Sequence, residues 1–179
     1  MNGNVYPPQL IDYLVEFNGT RDYFECHEIM EEYWKERGMD ADPLSSLWIG
    51  LIQVAVGQYH HRRGNRAGAQ KMLGKALDNL KRDHLASIGL GGEELLQIIE
   101  KKVEEELPFS DFDIPLTDAE LAHHCLEACK QNGVVWGMPS RMDDASIIHR
   151  HKLRDRSEVI SARIESADAK RKQREGRMP

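Results

Sequence analysis

Four residues among the first sixty have types and spacings suited to chemistry: His27, Glu31, Gln53 and His60. His27 and Glu31 are four apart in the stretch Tyr-Phe-Glu-Cys-His-Glu-Ile-Met-Glu-Glu-Tyr-Trp, residues 23–34. On a helix, that spacing stacks their side chains one turn apart. Gln53 and His60 are seven apart in the next helical stretch and share one line along it. If the two helices are antiparallel neighbours, all four residues can meet. Three chemistries suit such a group. The first is a buried hydrogen-bond network in which Glu31 accepts from a histidine and Gln53 satisfies what remains. The second is a divalent-metal site on His27, Glu31 and His60, with an open coordination position of the zinc type. The third is metal-free acid/base chemistry by His27 and Glu31, which needs a substrate pocket. The spacing His-x-x-x-Glu is neither His-Glu-x-x-His nor the paired Glu-x-x-His of di-iron bundles. Structural networks outnumber sites, so the network is the favoured reading.

The elements that must carry these residues read as helices. Pro7 and Pro8 open a first helix, and Asn18-Gly19 closes it. Asp22 caps a second, running to about Arg37 before Gly38. At 100° per residue, Tyr33, Cys26, Met30, Tyr23, Trp34, His27, Glu31 and Phe24 fall on one arc of about 180°, with Glu28 outside it. His27 and Glu31 are therefore expected on the buried side, with Trp34 beneath them. Asp42-Pro43 makes a turn, and Ser45 or Ser46 caps a third helix. From Leu47 to Arg63 that helix is apolar almost all round, which predicts other helices on every side. Arg62 and Arg63 complement its C-terminal dipole, and Gly64 and Asn65 end it and cap the next. Further helices are expected over about 66–82, 93–107 and from Thr117-Asp118-Ala119-Glu120 to Asn132-Gly133, with a looser segment from Phe109 to Leu116. No alternation supports a strand. The fold class is all-α, a helical bundle over residues 1–133 with a C-terminal basic helical extension over 134–179, frayed at its end.

Composition narrows the function classes. The chain has 179 residues, 40% hydrophobic and 30% charged, and no apolar run near the roughly 18 residues a membrane span needs. Cys26, Cys125 and Cys129 are odd in number and unlike a secreted disulfide framework, so a cytoplasmic protein is expected. Cys125 and Cys129 share a helical face and suit core packing. Gly89-Leu90-Gly91-Gly92 reads as a loop break, not a phosphate loop, because no strand precedes it. Net charge is −6, yet residues 149–179 hold ten Lys or Arg against five Asp or Glu. The tail is therefore basic and the body acidic. A solvated face or pairing with acidic surface is the favoured account of the tail; nucleic-acid binding is a minority reading, because aromatics are absent there.

The stretch over residues 23–34, followed by Leu-Ile-Gln-Val-Ala-Val-Gly-Gln-Tyr-His-His-Arg-Arg-Gly-Asn-Arg-Ala-Gly-Ala over 51–69, resembles the prokaryotic family named domain of unknown function 309. The resemblance covers roughly residues 12–82 and leaves the part after Gly133 outside. It implies an all-α bundle and no established activity. The family pattern falls on Phe24, His27, Glu28, Glu31, Trp34, Gln53, His60, Arg63, Gly64, Asn65, Gly68 and Ala69. On this reading the chain is a non-catalytic binding or scaffold module, with a protein partner or a second copy as its ligand. A metal-dependent or acid/base hydrolase using His27, Glu31 and His60 is the alternative, and a nucleic-acid-associated protein working through 149–179 a further one.

Overall fold

The computed structural model describes residues 5–150. One compact unit runs to Ile148, and a second begins at His149; the basic-tail expectations for 151–179 lie outside the described residues. The first unit is all-α. Its helices are α1 (Pro8–Val15), α2 (Tyr23–Glu36), α3 (Ser45–Arg62), α4 (Arg66–Asn79), α5 (Arg82–Ser87), α6 (Gly92–Glu104), α7 (Ala119–Asn132) and α8 (Ala145–Ile148). A π-helical turn, Glu16–Thr20, joins α1 to the corner before α2. Among the described residues the β pairing is one isolated antiparallel bridge, Leu90 to Leu116.

Helix α3 is the axis of the unit because it has no polar side to spare. It packs most extensively against α4 and α2, while α1 bridges α2 and α7. Leu47, Leu51, Val54 and Ala55 are sealed from solvent, and the Tyr13 hydroxyl donates to the Leu51 carbonyl at 2.7 Å. Helix α4 approaches closely because α3 carries Gly57 where the two cross. A Cβ there would stand 2.7 Å from Leu73 Cδ2, a contact no packed core accepts.

The α2–α3 corner is fastened by Asp42. Its buried carboxylate accepts from the Leu44 backbone N–H (2.9 Å), Trp48 Nε1 (3.1 Å) and Arg37 Nε (2.9 Å). Ser45, expected as a cap, is instead the first helical residue, and its hydroxyl accepts from Trp34 Nε1 at 2.8 Å. Burial opposes ionisation of Asp42, but the Arg37, Leu44 and Trp48 hydrogen bonds outweigh it and hold its pKa below the ordinary value.

Two non-helical straps lie on this frame. The looser segment is anchored: Asn18 forms a reciprocal pair with Ile114, donating to its carbonyl (3.0 Å) and accepting from its N–H (2.8 Å). The stretch expected as a linker also docks, since Gly137 N–H donates to the Asn18 carbonyl at 2.7 Å and Trp136 packs on the core. One compact unit thus continues past Gly133 to Ile148. Gly137, Pro139 and Ser140 look like a linker in sequence because the partners that dock this stretch, Asn18 for Gly137 and Arg62 and Asp111 for Ser140, lie far from it along the chain.

Two outcomes follow. Gly57→Ala should cost about 1–3 kcal/mol of stability through overpacking against Leu73. Gly74→Ala, where nothing lies within 4 Å of the added methyl, should gain up to about 1 kcal/mol; urea denaturation of both variants checks the contrast. The second concerns pH. A carboxyl group whose folded pKa is depressed contributes stability above its unfolded pKa, and that contribution is lost as pH falls through the folded value. Below roughly pH 4 the parent should lose the stability that Asp42 supplies, whereas Asp42→Asn should start less stable at pH 7 and lose less on acidification.

Candidate functional site

His27 and Glu31 do pair. His27 Nε2 lies 3.0 Å from Glu31 Oε2, and Glu31 Oε1 accepts from Lys35 Nζ at 2.6 Å, one further turn along α2. The pair is not buried, however. The side chains are 27%, 36% and 58% exposed along the series His27, Glu31, Lys35. The residues sealed on α2 are Tyr23, Cys26 and Met30. Their mean direction lies about 70° from His27 and about 110° from Glu31 at 100° per residue, so both belong to the margin of the arc. Lys35 draws Glu31 further outward, and its hydrogen bond, ahead of the His27 charge, holds the Glu31 carboxyl below the ordinary range. Glu28, expected outward, is half-buried.

Gln53 and His60 do not join them in a network. Gln53 Oε1 accepts from Asn79 Nδ2 at 2.8 Å, on the α4 side of α3. His60 Nδ1 lies 3.3 Å from Asn65 Nδ2, at the α3–α4 corner. Burial, then the Arg63 charge, lowers the His60 pKa. The link from His27 towards His60 is aromatic: Phe24 sits 5.5 Å from His27 and 5.6 Å from Tyr59, which is 6.1 Å from His60. Among the described residues, no group of three or more His, Cys, Asp or Glu is gathered to hold a metal ion. In place of the expected buried His/Glu/Gln network stand the half-exposed chain His27–Glu31–Lys35, a Gln53–Asn79 contact between α3 and α4, and a His60–Asn65 contact at the α3–α4 corner. His27 Nδ1 is enclosed and makes no hydrogen bond.

The buried polar centre lies elsewhere, around two arginines. Arg62 is 5% exposed. Its Nη1 donates to the Arg21 carbonyl (2.7 Å) and to Ser140 Oγ (3.0 Å), Nη2 reaches the Ile147 carbonyl (3.4 Å), and the guanidinium lies 4.7 Å above the Tyr23 ring. Arg21 is 3% exposed. It donates from Nε to the Met138 carbonyl (2.7 Å), from Nη1 to the Phe112 carbonyl (2.8 Å) and from Nη2 to Asp113 (2.6 Å). Those bonds hold Arg21 at φ +60°, a left-handed conformation that an L side chain enters only at a cost. Asp111 completes the cluster, accepting from the Tyr23 hydroxyl (2.5 Å), Ser140 N–H (2.6 Å) and Ser140 Oγ (2.6 Å). Burial, then the neighbouring Asp111 charge, pushes the Tyr23 phenol well up, so Tyr23 serves as a neutral donor.

Tyr23 and Arg62 belong to stretches that drew attention for other residues. The available signal was Arg62 itself, a guanidinium at the end of a helix that is apolar all round. Its proximity to Arg63 and Gly64 made a dipole role the simpler account.

The family model described as domain of unknown function (DUF309) matches residues 10–72. The uncharacterized protein YpuF of Bacillus subtilis (strain 168) is 40% identical over 179 residues, covering 96% of this chain and 100% of that protein. The chain belongs to the DUF309 family. No solved structure matches it. The DUF309 match runs from α1 into α4, so it takes in Asn18, Arg21 and Arg62 but neither strap that they hold. The family match agrees with the resemblance expected over roughly 12–82, while the likeness to YpuF continues through the straps and past Gly133. Among the described residues no helix is long and apolar enough to cross a membrane. All three cysteines are free and buried; burial, then Cys129, pushes the Cys125 thiol up to about 12, as core packing requires.

The two neighbouring arginines at the end of α3 should behave oppositely. Arg62→Ala strands the Arg21 carbonyl and Ser140 in a buried setting and should cost about 3–5 kcal/mol. Arg63→Ala, at a half-exposed position, should cost less than about 1 kcal/mol. Chemical denaturation of the two variants beside the parent reads the difference directly.

Proposed function

We propose that this DUF309 chain is a non-catalytic binding module that works in the cytoplasm and meets a protein partner through the outer margin of α2. The observation that carries the reading is the surface chain His27–Glu31–Lys35, in which a histidine, a carboxylate and an ammonium are set in fixed order along half-exposed helix. A network that served only to hold helices in register would bridge two elements, as Asn18 and Arg62 do; this one stays within α2. It presents a charged edge beside the Phe24 ring, the mixture of polar groups and aromatic surface that protein interfaces favour. The three free thiols support a reducing compartment. His27, Glu31 and His60 are not gathered as a hydrolytic centre would require, which weighs for binding over catalysis.

Exposed and half-exposed ion pairs contribute roughly 0–1 kcal/mol. The double variant His27→Ala, Glu31→Ala should therefore melt within about 4 °C of the parent and still lose its partner. The measurement is chemical crosslinking in cells that carry the chain natively, comparing parent and double variant at equal abundance. A discrete crosslinked species that vanishes in the double variant is the expected result. The same species in both, or a double variant that melts far lower, would contradict the reading.

A further inference from the structure

Helix α3 is covered unequally. Gly50 and Gly57 face α4, where Leu80 and Leu73 close on them. Trp48 and Tyr59 face α2, with ring centres 5.0 Å from Tyr33 and 5.6 Å from Phe24. At 100° per residue those two pairs lie about 180° apart around α3, so α2, α3 and α4 form one layer with α3 in the middle. The inner face of that layer is sealed: Leu51, Val54 and Gln58 are closed to solvent, and α1 and the 109–114 strap reach it through Tyr13 and Ser110. On the outer face Ser46, Ile49, Ile52, Gln53, Val56 and His60 share an arc of about 120°, and all six are only half-buried. None of them is Asp, Glu, Lys or Arg. An outward arc about four turns long without a fixed charge has the composition of a face that meets protein rather than water.

The two walls of this face carry opposite charge. On α2 the border is His27, Glu31 and Lys35, beside Trp34, which reaches Ser45 at the edge of the arc. On α4 the border is Met72, Lys75 and Asn79, which fall within about 60° of one another, and Asn79 Nδ2 donates to Gln53 on the arc itself at 2.8 Å. Helix α2 has five glutamates against one lysine; α4 has Arg66, Lys71 and Lys75 against Asp78. Among the described residues neither Lys71 nor Lys75 has an ion-pair partner. The walls also stand level. Glu31 lies between Phe24, which meets Tyr59, and Tyr33, which meets Trp48. Lys75 lies between Leu73, which meets Gly57, and Asn79, which meets Gln53, within the same span of α3.

We propose that this outer face is the interface of a homodimer, occupied by a second copy of the chain, with each α2 lying along the α4 of the other copy. Two copies meet face to face about a two-fold axis in one of two ways. An axis running across α3 would lay one acidic α2 on the other. An axis running along α3 stacks the two uncharged arcs and lays each α2 over the opposite α4, so that Glu31 of one copy faces Lys75 of the other, twice over. The charges select the second arrangement, because opposite charges across an interface fix its register and like charges exclude it. This inference rests on the reading of α2 as a partner-binding margin and names the partner.

The test is sedimentation equilibrium of the purified full chain, of Glu31→Lys, of Lys75→Glu, and of an equimolar mixture of the two variants. The parent should form a reversible dimer. Each variant alone sets like charges at both contacts and should weaken the dimer about tenfold or more. Both positions reach solvent, so circular-dichroism melts should show both variants folded. In the mixture a Glu31→Lys chain meets a Lys75→Glu chain, both contacts regain opposite charges, and the mixed dimer should be as tight as the parent's. A parent that stays monomeric at every concentration would overturn the proposal; variants that then melt lower would assign the face to a segment of the same chain. A mixture no tighter than its separate components would overturn it as well. A monomeric parent that still yields, in cells, a crosslinked species lost in the His27→Ala, Glu31→Ala variant would exclude the second copy and leave the α2 margin with a different partner.

Discussion

Two guanidinium groups with almost no access to water decide how this molecule closes. A buried arginine keeps its charge, so every donor it brings inside must find an acceptor or cost several kcal/mol. Arg21 and Arg62 meet most of that demand with backbone carbonyls drawn from three places: the corner before α2, the strap over 109–114 and the stretch over 137–148; Arg21 adds the Asp113 carboxylate, and Arg62 Nε alone of these donors is left without a partner. Irregular backbone has carbonyls to spare, and the arginines have donors to spare. Each need answers the other. Asp113 pairs directly with Arg21, Asp111 supplies negative charge near Arg62, and Ser140 and Tyr23 donate to the Asp111 carboxylate. The positive φ of Arg21 is tolerated because four bonds from its side chain over-determine its place.

The helical frame makes this closure feasible. Helix α3 is apolar along most of its length, and towards its C-terminal end Gln58 and Arg62 donate to the straps while His61 Nε2 lies at the Leu107 carbonyl just before one of them. The apolar part collects α2 and α4. The polar end collects the two straps. One helix thus serves both as the core axis and as the anchor for two largely irregular segments, the second ending in the short helix α8. The α2 margin, with its His27–Glu31–Lys35 chain, borders the outer face of the same frame.

Much of the frame was legible in sequence. The caps at Asp22 and Asn65 and the exit at Gly133 accept or adopt what their residue types suggest, because these are local preferences needing no distant partner. The nearly all-round apolar character of Leu47 to Arg63 placed α3 among other helices, where it lies. Long-range polar chemistry was not legible. Asn18 looks like a helix stop beside Gly19, yet it is sealed and pairs with Ile114, 96 residues on. Asp111 sits in a segment without periodicity, and Ser140 beside a proline. The helical wheel also overstated the burial of Glu31, because an arc of about 180° includes margins that solvent reaches. Pattern reading ranks residues around a helix; it does not say how wide a neighbour's shadow falls.

The claim that the straps belong to the folded core, held by Arg21, Arg62 and Asn18, is tested most directly by amide hydrogen exchange at residues 114, 137 and 140. Their N–H groups donate to Asn18, to Asn18 and to Asp111 respectively. The account predicts protection as high as that of Leu51 and Val54 in α3, opening only with the whole unit. Exchange of Gly137 and Ser140 at the rate of an unstructured chain, with α3 still protected, would contradict it.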